Sequence, residues 1–156
     1  MPQPKLSPSI KETELQRWQR NFSDLLQELR VAQTGVQILF AFLLILAFTP
    51  EFDTTDRFAR PVYLVALLSA VVATALLIAP VAFHRVVFRR SQKPELVVYA
   101  HRMAFAGLML MIVSLVSAVL LASDVLLDRT MAVLVSAAVG VVFVLLWVVL
   151  PLLRRR

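Results

Sequence analysis

Four long apolar runs, set apart by short clusters of charge, organise this chain. They fall near residues 31–48, 62–83, 103–122 and 130–150, and none has a Lys, Arg, Asp or Glu in its interior. Each approaches or exceeds the roughly 20 residues with which a helix crosses about 30 Å of hydrocarbon. The runs show no alternation of apolar and polar positions, and the whole chain has only three glycines, so helices are expected rather than barrel strands. The pattern predicts an all-α fold: a four-helix transmembrane bundle preceded by an amphipathic N-terminal helix.

Residues 1–8 hold three prolines and read as a disordered lead. Ser9 and Glu12 then have capping-box spacing, and a cytoplasmic or interfacial helix is expected over 9–30. Leu15, Trp18, Phe22, Leu25 and Leu29 recur at three and four, against a face of Gln16, Arg17, Arg20, Asp24, Gln27 and Glu28. Such a helix can lie in the interface, pack under the bundle or form a coiled-coil seam with a partner. The four-span domain is expected over 31–153, with 154–156 a basic tail.

Pro61 suits the first turn of the second span, and Pro80 is expected to kink its far end. The connector Ser91-Gln92-Lys93-Pro94 predicts a tight hairpin, and Asp128 is the expected cap of the fourth span. Small residues at helical spacing, in Ala66/Ala70, Ser69/Ala73, Ser114/Ala118 and Ser136/Gly140, allow close helix approach.

Composition agrees with a membrane location: 60% of residues are hydrophobic, and mean hydropathy is +0.80. Charge then orients the chain. Thirteen of the sixteen Lys and Arg residues lie before the first run, between the second and third, or after the fourth; Arg57, Arg60 and Arg129 alone lie on the other side. The positive-inside rule predicts that both termini are cytoplasmic. Tyr63 is expected in the outer aromatic belt, with Tyr99 and Trp147 in the inner one. The basic rim should draw anionic lipids, which explains the pI near 10.8 without nucleic-acid binding. The N-terminus lacks the basic start and apolar core of a signal peptide, so it is expected to be retained. Zero cysteine excludes disulfides, thiolate metal sites and cysteine nucleophiles, and no cofactor motif occurs.

Candidate chemistry concentrates where the first run begins. At 100° per residue, Ser23, Gln27, Arg30, Gln33, Thr34 and Gln37 occupy about a third of the helix circumference, and Ala41, Leu44 and Phe48 continue that face. The stripe is polar only at its cytoplasmic end. Gln33, Thr34 and Gln37 are expected either to bond neighbouring helices, with Arg30 snorkelling, or to line a cytoplasm-facing pocket or contact surface with Glu28. His84, Arg85, His101 and Arg102 would form its rim. Two imidazoles and a carboxylate could bind a metal or relay a proton, but no metal-ligand spacing supports this. No ionisable residue lies at a span midpoint, which argues against a coupled pump.

The segment from Leu25 to Leu44, with Ile78-Ala79-Pro80-Val81-Ala82-Phe83-His84-Arg85 and His101-Arg102, resembles an uncharacterised family of small four-span bacterial membrane proteins. That family is mainly actinobacterial, and some members carry sodium/proton antiporter labels. The resemblance implies no established reaction. The expected role is non-enzymatic: a structural or accessory component, a homo-oligomer or part of a larger membrane complex, using the start of the first span as its contact surface. The alternative is a small transporter or channel component with a cytoplasm-facing polar vestibule. An intramembrane enzyme using His84 and His101 is the third reading.

Overall fold

The computed structural model describes residues 14–50, 57–87 and 93–154. The expected cap at Ser9 and Glu12, the lead over 1–8, and the Ser91-Gln92 turn lie outside the described residues. The side chains of Leu15, Trp18 and Phe22 do so too.

Helix α1 runs unbroken over Glu14–Leu46, so the amphipathic segment and the first span are one helix. Its end tightens into three-residue turns, in which the Thr49 hydroxyl donates to the Leu46 carbonyl at 2.9 Å. Helix α2 is Ala59–Val87, α3 is Lys93–Leu126 and α4 is Arg129–Val144. A single π-helical turn over Leu145–Val149 leads from α4 into a short α5, Leu150–Arg154. The Leu150 amide reaches back to Leu145 here, directly before Pro151, which brings no N–H of its own. Four stretches are long and apolar enough to cross a membrane: Ser23–Leu46, Ala59–Phe83, Val98–Leu126 and Arg129–Arg154. The protein is therefore read as a multi-pass membrane protein.

The centre of the fold is the antiparallel α2–α3 hairpin. Ala66, Ala70, Ala73 and Leu77 of α2 are wholly buried, and α3 meets them with Ala104, Gly107, Met111 and Ser114. Small side chains bring the two backbones close, as membrane helices require when lipid offers apolar contact as good as protein. A Cβ added at Gly107 would lie 2.9 Å from Leu77 Cγ and 3.3 Å from the Ala73 carbonyl oxygen. The Ser114 hydroxyl donates to the Ala66 carbonyl across the hairpin at 2.7 Å.

Helix α1 packs on α2, with a smaller contact to α3, through Leu29, Val36 and Leu43 and the half-buried Leu25, Ala32, Leu39 and Leu46. Two hydrogen bonds fasten it. The Gln33 amide donates to the Leu77 carbonyl at 2.7 Å, and the Tyr63 hydroxyl donates to the Leu43 carbonyl at 3.0 Å. As α1 ascends from Gln33 to Leu43, its partner on α2 falls from Leu77 to Tyr63, so these helices too are antiparallel. Tyr63 is 5% exposed, which corrects its expected place in an interfacial belt: its ring is inside and its hydroxyl bonds a neighbouring helix.

Helix α4 packs on the opposite side of the hairpin against α3, through Ala132, Ser136 and Gly140, the last facing Val116. The Asp128 carboxylate accepts from the Met131 amide at 3.2 Å, the expected cap. Arg129 pairs with Asp124 at 3.1 Å, and its guanidinium lies 4.2 Å from the centre of the Phe58 ring, linking the α3–α4 turn to the start of α2. With four successive antiparallel crossings, the start of α1 and the end of α5 lie on the same side. Helix α2 runs through Pro80 to Val87, and Pro80 is fully buried.

Candidate functional site

The polar stripe on α1 is divided by the structure. Gln33 turns toward α2, where its amide bonds a carbonyl three residues before Pro80. Proline disturbs helical bonding in the turn before it, and a side-chain donor from an adjacent helix offsets that disturbance. Gln33 therefore belongs to the packing of the chain.

Gln27, Arg30, Thr34 and Gln37 are exposed, on the side of α1 turned away from the hairpin. Thr34 donates to the Arg30 carbonyl of its own helix at 3.0 Å rather than to a neighbour. The Gln37 side chain makes no hydrogen bond to a described residue. Of the three residues expected to bond neighbouring helices, Gln33 alone does so. Glu28 lies nine residues from Gln37, half a turn around the helix, so it is not on this face.

The exposed surface of α1 has two chemically different sides. Val31, Ile38, Phe42 and Ile45, 55–75% exposed, make a bulky apolar side suited to acyl chains. Arg30, Thr34, Gln37 and Ala41 make the other, polar or small until Leu44 continues it. From Arg30 to Gln37 the helix rises about 10 Å, so the Gln37 amide is carried well into the hydrocarbon.

The expected rim is only partly placed. His101 and Arg102 are exposed near the start of α3. The side chains of His84 and Arg85 lie outside the described residues. Nearby, the Phe83 and Tyr99 rings pack with centroids 4.8 Å apart. Among the described residues no group of three His, Asp or Glu side chains gathers as a metal site.

A model described as a family of unknown function, DUF6328, matches residues 11–151. The chain belongs to that family. The match takes in all of α1 and runs past the π-helical turn to Pro151, so DUF6328 corresponds to the whole four-helix fold. The segments around Gln33, Pro80 and His101 that carry the resemblance all lie within it. No curated protein and no solved structure matches the chain, and the DUF6328 description names no reaction.

Proposed function

We propose that this DUF6328 protein is a non-enzymatic membrane component that acts by lateral assembly, with the outward polar side of α1 as its contact surface. The exposed Gln37 amide carries this reading. Moving an unpaired amide from water into hydrocarbon costs about 4–8 kcal/mol, and no described residue of the chain satisfies it. Its side chain is too short to span the roughly 10 Å back to the level of Arg30, so snorkelling gives no escape. A helix from a neighbouring chain would supply the missing partner. Arg30, long and exposed, would reach anionic head groups on the cytoplasmic side, where both termini belong by the charge asymmetry.

A small transporter or channel component is the second reading, favoured by a stripe that starts at one membrane face and stops partway. Because the stripe faces outward, a vestibule lined by Thr34 and Gln37 would open between chains rather than within one.

Purification in a mild detergent followed by native mass spectrometry tests the assembly. A defined oligomer or a stoichiometric companion is expected, and recovery of monomer alone overturns it. Ion flux in proteoliposomes that Gln37→Leu abolishes would favour the second reading.

A further inference from the structure

Lateral assembly leaves the neighbour unnamed, and the spacing along α1 narrows it. Gln27, Arg30, Thr34, Gln37, Ala41 and Leu44 of α1, with Phe48 just past its end, recur at alternating intervals of three and four, the repeat of a two-stranded left-handed coil. All seven are exposed. The same repeat occurs in Leu25, Leu29, Ala32, Val36, Leu39, Leu43 and Leu46, and that seam is buried or half-buried against the chain's own helices. Helix α1 thus has two coiled-coil seams, one occupied and one open.

Resting on the lateral-assembly reading, we propose that the open seam takes α1 of a second copy, in a parallel and in-register pair with Gln37 facing Gln37. Copies inserted in the same orientation hold this residue at the same depth. A primary amide both donates and accepts, so two identical side chains close a reciprocal pair across a two-fold axis. A neighbour of different sequence would have to present a matching amide at that depth, whereas a second copy supplies it automatically. A single polar residue in such a seam fixes register. Sliding one heptad would set Gln37 against Arg30 or Leu44 and leave amides unpaired. Thr34 and Ala41 on either side are small enough for close approach. Arg30 lies a heptad nearer the membrane face and splays into the head groups.

The chain has no cysteine, so single cysteines report cleanly. Thr34→Cys, Ala41→Cys and Leu44→Cys sample the seam; Val31→Cys, Ile38→Cys and Ile45→Cys sample the apolar side. The full chain is oxidised in native membrane vesicles. A product of twice the chain mass is expected from the first three and not from the second three. In the Ala41→Cys background, Gln37→Leu should lower pairing about threefold to twentyfold, and Gln37→Asn should retain it. Equal cross-linking on both sides, or retention of pairing in Gln37→Leu, overturns the proposal. A seam product of any other mass overturns self-pairing but keeps lateral assembly. With no product at any seam position self-pairing falls, and lateral assembly then stands or falls on the native mass spectrum.

Discussion

Gly107→Ala sets one carbon atom against the close crossing of α2 and α3. The new Cβ would lie 2.9 Å from Leu77 Cγ, 3.0 Å from Leu77 Cδ2 and 3.3 Å from the Ala73 carbonyl oxygen. None of these gives way easily: Cγ is the branch point of a side chain with no exposed surface, and the carbonyl belongs to the α2 backbone. The helices must part, or Leu77 must leave its rotamer. Overpacking of this kind costs about 1–3 kcal/mol, offset by up to about 1 kcal/mol from removing a mid-helix glycine, so a net loss of about 1–2 kcal/mol is expected. Gly35 is the internal control, since nothing lies within 4 Å of a Cβ built there. Gly35→Ala should keep or gain stability. Unfolding in mixed micelles with a rising fraction of denaturing detergent, followed by circular dichroism, measures both. Leu77→Ala in the Gly107→Ala background should be less costly than the two changes added, because it reopens the same space. If Gly107→Ala is at least as stable as the parent, or Gly35→Ala is the weaker of the two, the close-crossing argument is wrong.

Three further outcomes follow from the hydrogen bonds and charges. Gln33→Leu should destabilise by about 0.6 kcal/mol, at most about 1.7, in the same assay, while Gln37→Leu should leave the unfolding of the isolated chain unchanged or improved. The reverse order would show that the two glutamines have been assigned the wrong sides. Asp128→Ala should cost about 1 kcal/mol through loss of the α4 cap, with Asp128→Asn close to the parent in circular-dichroism melts. Fusion of a fluorescent protein that matures only in the cytoplasm should glow at either terminus and stay dark when inserted at the α3–α4 turn; a bright turn insertion would invert the assigned topology.

Hydropathy and charge made the four helices, their antiparallel order and the Asp128 cap legible in the sequence, because the bilayer admits few alternatives. Which side of each helix faces protein was much less legible. Along α1, Leu29, Val36 and Leu43 are buried while Ile38, Phe42 and Ile45 are exposed, yet all six are large and apolar. In lipid, hydrophobicity does not tell inside from outside. For the same reason Tyr63 read as an interfacial aromatic until its hydroxyl was seen to bond Leu43. The polar stripe was found as a unit because helical angle alone grouped it. Its division followed from where α2 lies, which gives Gln33 a carbonyl to bond and leaves Gln37 facing outward.

The side position of α4 bears on how the chain is made. Among the described residues, the main hydrophobic cluster draws its buried members from α1, α2 and α3, and from beyond Leu126 Trp147 alone packs against it, while Ala132 is buried separately against α3. In the fourth span 6% of the apolar window is buried, against 33% in the second. During synthesis, the first three helices can therefore complete their mutual contacts while the last is still in the ribosome. The final helix then docks on a finished surface, and a chain cut short after α3 would leave one face of a formed core open to lipid.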